Sequence, residues 1–266
     1  MKKTSVLGKI YVGLVIAFLQ LPILCLIVYS FNESKSRAVW QGFSLKWYQA
    51  LFQDSEMIAS LGTTLLCAFL AAIISTIIAT IAAIGLNSMR RGSYTSIMMI
   101  AYIPMLNADI VTGVSLLILF TMLNLQLGFG TLLLSHITFC IPYVLFSVMP
   151  KIRQFDYSKY EAALDLGATP SLALRRIMIP DIMPGIISGF FMALTLSIDD
   201  FIVSFFTTGN GVQNLSIKIY TMAKRGISPT INALSTIMYL VILAILLYTN
   251  LKSMNQENQK KGKGNH

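Results

Sequence analysis

Three carboxylates stand where water is scarce: Asp109, Asp199 and Asp200 all fall within long apolar stretches. An acid near the centre of a bilayer costs about 2.5 to 3.5 kcal/mol on insertion scales, so it must face a cavity or a partner. No Lys or Arg lies within the apolar stretches to serve as that partner. Adjacent carboxylates also repel unless a cation is near. A solute with several ammonium groups would relieve the repulsion, and Tyr220 or another aromatic could add a cation–π contact. Side chains at successive helical positions point about 100° apart, so one of Asp199 and Asp200 is expected to line such a path. The competing reading is structural: a pair with a basic residue, or a cap at a helix break.

A second group lies on a polar stretch, Ser158 to Pro170. Ser158 and Glu161 have the spacing of a capping box. Gly167 fits a helix terminator about two turns on, and Thr169 with Pro170 opens a second helix. Arg175 and Arg176 suit the negative end of that helix, and Pro180 is expected to stop it near Ile179. Helices this short are marginal alone. Tyr160, Ala163, Leu164 and Gly167 share one face, so a partner with a groove is expected to hold them. Other chemistry is thin. Cys25, Cys67 and Cys140 lack ligand spacing and read as packing residues, and His136 and His266 are too far apart for a metal site or proton relay. Neither a nucleophile with its base nor a Gly-rich phosphate loop is visible, so no catalytic residue, metal or cofactor is assigned. Any ATP must be bound by another chain.

The elements that position these groups follow from composition. The 266 residues are 55% hydrophobic and 12% charged, with a mean hydropathy of +0.71; soluble domains average about 25% charged. Counting roughly 20 apolar residues per spanning helix, six spans are expected: 10–31, 59–86, 96–122, 131–150, 181–206 and 231–251. The first run is too long for a signal peptide and is read as an anchor. With the N-terminus inside, 14 of the 20 Lys and Arg fall in cytoplasmic segments and 6 outside, which places both termini in the cytoplasm. The net charge of +9 is thus topological and implies no nucleic acid. Aromatics in 32–58, including Trp40, Phe43, Trp47 and Tyr48, read as an interfacial belt or a docking surface for an external protein. Leu215, Ile219, Met222 and Ala223 fall at helical spacing opposite Lys218, Lys224 and Arg225, an amphipathic helix. Residues 252–266 are polar and expected to be disordered.

The polar stretch resembles the EAA loop of ABC-importer permeases: Glu161-Ala162-Ala163, then Gly167, then Ile177-Met178-Ile179-Pro180, with Ile179 where leucine is usual. The resemblance implies an all-α, polytopic, MetI-like type I ABC permease with about six transmembrane helices. It divides the chain into an anchor helix and external loop (1–58), a permease core (59–251) with the coupling loop at 151–180, and a tail (252–266). Glu161, Ala162, Ala163, Gly167, Ile177 and Pro180 would then couple to ATPase subunits. A narrower resemblance, to the second permease of spermidine/putrescine importers, is carried by Trp40-Gln41-Gly42-Phe43, Lys46-Trp47-Tyr48, Ser135 to Cys140, Leu196 to Asp200 and Lys218-Ile219-Tyr220. The chain departs from that pattern at Ala108 and Thr230. It implies polyamine cargo, a substrate pathway through Asp109, Asp199, Asp200 and Tyr220, and a second permease subunit, ATPase subunits and an external substrate-binding protein as partners. The setting is a lipid membrane. Rival readings are an importer of thiamine, ferric iron or an anion, and a secondary transporter, which would not need the loop.

Overall fold

The computed structural model describes residues 6–34, 39–209, 211–225, 229–240 and 243. Lys2 and Lys3, the far end of the span expected at 231–251, and the tail 252–266 lie outside the described residues. Among those described there is no β-strand, only one isolated antiparallel bridge between Asn32 and Phe43. The chain divides into two compact units, Met1–Ile58 with Ile219–His266, and Ala59–Lys218.

In the first unit, α1 (Val6–Ser30) is apolar on all sides and none of its hydrophobic window is buried, the pattern of a helix made to meet lipid. Cys25 is exposed on it, not packed as the sequence led us to expect. The aromatic segment after α1 folds on itself. Trp47, in α2 (Lys46–Gln53), is buried and donates its indole N–H to the Asn32 carbonyl at 2.7 Å. The Asn32 amide in turn donates to the Val39 carbonyl at 2.9 Å and accepts from the Gln41 N–H at 3.1 Å. Phe31 and Phe43 stack at 5.0 Å. Two of the five expected interfacial aromatics, Trp47 and Tyr48, are therefore spent on packing, while Trp40, Phe43 and Phe52 remain exposed. Residues 229–240 form α12, whose Tyr239 hydroxyl donates to the Gln20 side chain of α1 at 3.4 Å.

The second unit holds most of α3 (Ser55–Asn87), then α4 (Arg91–Leu106), α5 (Asp109–Met122), α6 (Phe129–Gln154), α7 (Tyr157–Asp165), α8 (Pro170–Ala173), a π-helical turn (Leu174–Met178), α9 (Ile179–Asp199) and α10 (Ile202–Thr207). The amphipathic α11 (Leu215–Arg225) runs across the division. Among the described residues of both units, four helices are long and apolar enough to cross a membrane, and α4 with α5 forms a fifth crossing if the bent pair counts as one.

Its core is the seam between α6 and α9. Cys140, Val144, Val148 and Ile152 recur every four residues along α6 and are all buried, with Ala72, Ala79 and Ala83 of α3 and Ile182 and Ala193 of α9 against them. Lipid tails are as apolar as leucine, so helices in a bilayer associate by close packing and not by expelling water. Gly185, Gly189 and Ala193 supply that closeness from α9. A Cβ built on Gly189 would lie 2.9 Å from Val144 Cγ1, and one on Gly185 would lie 3.1 Å from the Ser147 carbonyl. The Ser147 hydroxyl donates to the Gly185 carbonyl at 3.1 Å across the same seam.

Two expected spans are interrupted. The third bends by 106° between Leu106 and Asp109, where Asn107 and Ala108 are extended; Pro104 has already removed one helical hydrogen bond just before. The fifth ends at Asp199, and Asp200 is extended before α10 begins. Conversely, Pro180 does not stop a helix. Pro170–Asp199 runs as one 30-residue helix, because the wide turn at Leu174–Met178 takes up the clash that a proline ring makes with the carbonyl four residues back.

Gly189→Ala should lower the melting temperature of the detergent-solubilised protein, by an overpacking cost of about 1 to 3 kcal/mol. Gly62→Ala, whose new Cβ meets nothing within 4 Å, should leave it unchanged or raise it. Equal losses in differential scanning would refute the close-packed seam.

Candidate functional site

The two breaks meet. Pro104 at the end of α4, Asp109 and Thr112 of α5, Tyr143 of α6, Asp199 at the end of α9 and Asp200 just after it line one cavity of about 130 Å³, with Phe139, Leu196 and Val203 completing it. None of its lining residues is Lys or Arg. Asp109 is the first residue of α5, where the positive end of a helix favours a carboxylate. Asp109 and Asp199 are exposed, and their carboxylates take no ion pair or hydrogen bond among the described residues.

Asp200 is used differently. Its side chain is 8% exposed, and its carboxylate accepts from the N–H groups of Val203 at 3.2 Å and Ser204 at 2.8 Å and from the Ser204 hydroxyl at 2.8 Å. It therefore caps α10, the structural alternative weighed for these acids. Behind it lies His136, 2% exposed, with Nδ1 2.6 Å from Ser197 Oγ and Nε2 2.9 Å from Ser204 Oγ. His136 Nε2 is also 3.5 Å from the Asp200 carboxylate. The Thr131 hydroxyl of α6 donates to the Thr207 carbonyl at 2.8 Å, holding the other end of α10. His136 is thus the peg on which α10 hangs, a role its isolation in the sequence concealed. Phe139 and Tyr143 were missed as well; their i, i+4 spacing is the signal that puts both on one face of α6. Among the described residues no cluster of His, Cys, Asp or Glu could hold a metal ion.

Tyr220 belongs to the first unit and carries the Lys224 ammonium 4.8 Å above its ring.

At the end of the second unit that carries α7, the expected capping box does not form. Asp156 is the N-cap, and its carboxylate accepts from the Ser158 N–H at 3.1 Å; an equally good acceptor placed two residues earlier starts the helix first. Glu161 is left exposed on the middle of α7. Gly167 has φ +87°, and the Gly167 and Ala168 N–H groups donate to the Leu164 and Ala163 carbonyls at 2.9 and 3.0 Å, the Schellman pattern that the glycine requires. The face expected to seek a partner turns inward: Tyr160, with Leu174 and Ile177, packs on the core. The Asn87 side chain donates to the Tyr157 hydroxyl, and Lys159 pairs with Asp181 at 3.8 Å. The chain therefore holds its own loop. Outward stand Glu161, Ala162, Asp165 and Leu166, with Leu166 90% exposed. Ala163 is half-buried, and Pro180 is exposed on the continuous helix.

An all-helical membrane bundle with an acid cavity at its broken spans and a self-supported helix presented at one end is a transport permease. Residues 1–253 match the family described as "binding-protein-dependent transport system inner membrane component", and the chain belongs to that family. It is 39% identical over 246 residues, 92% of this chain and 93% of the relative, to the spermidine/putrescine transport system permease protein PotC of Escherichia coli strain K12. It is 41% identical over 228 residues, 83% of this chain and 81% of the relative, to the putrescine transport system permease protein PotI of the same strain. The fold matches a bacterial ABC transporter involved in import of the acidic polysaccharide alginate, with TM-score 0.70 and 18% identity over 94% of this chain and 95% of that one. It also matches the MetNI methionine ABC transporter, with TM-score 0.58 and 17% identity over 75% and 93%.

Removing the cap with Asp200→Ala should destabilise the solubilised protein by about 1 to 2 kcal/mol. Asp109→Ala should cost far less, since no hydrogen bond is lost. Thermal unfolding of both variants would test the division of labour, which fails if the two losses are equal.

Proposed function

We propose that this chain is a permease subunit of an ATP-driven importer that takes spermidine or putrescine from an external binding protein and passes it to the cytoplasm. The cavity carries the reading: three carboxylates, two aromatic rings and no cationic lining residue suit a chain of ammonium groups separated by methylenes. Asp109 and Asp199 bind ammonium, Asp200 holds the wall, and Phe139 and Tyr143 supply ring faces. Tyr220, whose ring already holds an ammonium of its own chain, is a further contact that cargo can take in exchange. The names of the relatives point to the same cargo.

The subunit itself performs no chemistry. It works with a second permease subunit and with separate ATPase subunits that bind and hydrolyse ATP. Both termini and the loop 151–180 lie in the cytoplasm, as the basic residues favour. Glu161, Ala162 and Leu166 offer α7 to the ATPase, while Gly167, Ala163, Ile177 and Pro180 set its angle to the helix that follows. That helix extends unbroken from Pro170 to Asp199, about 45 Å at 1.5 Å per residue. Closure of the ATPase dimer moves α7, and the rod carries the motion to the acid cavity as a rigid body.

Asp109→Asn and Asp199→Asn should each cut polyamine uptake by on the order of tenfold, which corresponds to about 1.4 kcal/mol, with the complex still assembled. Uptake of labelled spermidine and putrescine by cells or proteoliposomes measures this; normal uptake in both variants, or transport of an anion in place of polyamine, would remove the cation path.

Gly167→Val places a β-branched residue at φ +87°, a strain of about 1 to 2 kcal/mol. It should leave the spans inserted while uptake falls and less ATPase co-purifies. Undiminished cargo-stimulated ATP hydrolysis would disprove the coupling role.

A further inference from the structure

A second, larger cavity of about 720 Å³ lies between α4 and α6, lined by Tyr94, Met98, Tyr102, Phe146 and Pro150 with Arg153 among them. Like the acid cavity, it is lined from α4 and α6. Phe139 and Tyr143 line the first, and Phe146, Pro150 and Arg153 line the second; these five positions recur at three- and four-residue steps and form one stripe of α6. On α4 the lining passes from Pro104 in the first cavity to Met105 in the second. Tyr102 and Phe146, both in the lining of the second cavity, have ring centroids 4.1 Å apart. From Tyr143 to Arg153 the stripe covers about 15 Å.

The two ends have opposite charge. Arg153 is the charged residue in the lining of the second cavity. Its guanidinium lies 5.1 Å from the Tyr94 ring centroid and also donates to the Tyr94 hydroxyl. Lys151, two residues earlier, runs along α9 at Gly185 instead. A tethered cation thus occupies the aromatic face that an ammonium arriving from that end would take.

We propose that Arg153 is an electrostatic valve at the cytoplasmic mouth of the polyamine path: seated on Tyr94, it excludes cytoplasmic polyamine from the lower cavity, so that released cargo does not re-enter and block transport. The inference rests on the proposed polyamine cargo and cytoplasmic loop. It deepens that reading by naming a residue that sets sensitivity to product. Arg153 contributes its charge through space to a multivalent cation, so its effect grows with cargo valence.

The whole complex, reconstituted in vesicles with ATP inside and the binding protein and labelled cargo outside, tests this. Initial uptake is measured against rising unlabelled polyamine in the lumen, each variant scaled to its own rate in product-free vesicles. Arg153→Gln should lower the half-inhibiting lumenal concentration by on the order of tenfold, more for spermidine than for putrescine. Arg153→Lys should restore much of the wild-type resistance. Unchanged inhibition in Arg153→Gln, a Lys variant that behaves as Gln, or an effect that follows the anionic lipid content of the vesicles and not lumenal polyamine would each overturn the valve while leaving the importer reading intact. Wild-type complex that takes up no polyamine would overturn both.

Discussion

Backbone groups freed inside an apolar slab must find partners within the protein, because no water is there to supply them. Two spans of this chain break at the same cavity, and the rest of the site depends on how those breaks are satisfied. Asp200 answers for the start of α10 by accepting two N–H groups and a hydroxyl. His136, through Ser197 and Ser204, ties the same point to α6 and α9. A buried histidine, two serines and a carboxylate make one connected network, which a membrane interior tolerates only when its members are paired.

That commitment separates the three acids. A carboxylate with its lone pairs taken by a helix end is poorly placed to receive cargo, whereas Asp109 and Asp199 line the cavity with no Lys or Arg beside them in its lining. Under the proposed function the unpaired acids are kept that way for a mobile cation, and the paired one maintains the space between them. Under the same proposal, the opposite charge at Arg153 on the same stripe of α6 gives the path a polarity that apolar lining alone could not.

The mechanical side rests on one helix. Had Pro180 ended the helix begun at Pro170, a hinge would lie between the loop and the cavity. The π turn removes that hinge and makes the stretch from Pro170, the glycine seam and Asp199 parts of one rod. At Gly185 and Gly189 the rod is packed closely against α6, with no room for an added Cβ.

The sequence by itself determined the class of fold and marked out the candidate site residues. Apolar runs longer than a bilayer, the glycine after α7 and the acids without basic neighbours are local facts, and each predicts its own consequence. What it could not decide was which partner each group would choose. Asp156 competes with Ser158 as a cap, Tyr160 can face a groove or its own core, and Asp199 and Asp200 look alike until one is drawn to a helix end. His136 appeared idle because its partners lie 61 and 68 residues away in the chain. Such choices turn on distances between helices, set by glycine and alanine contacts on opposite sides of the seam, and a linear pattern does not contain them. Pro180 shows the same limit in reverse: the local rule forbids a regular helix there, and the surrounding packing supplies a wider turn instead.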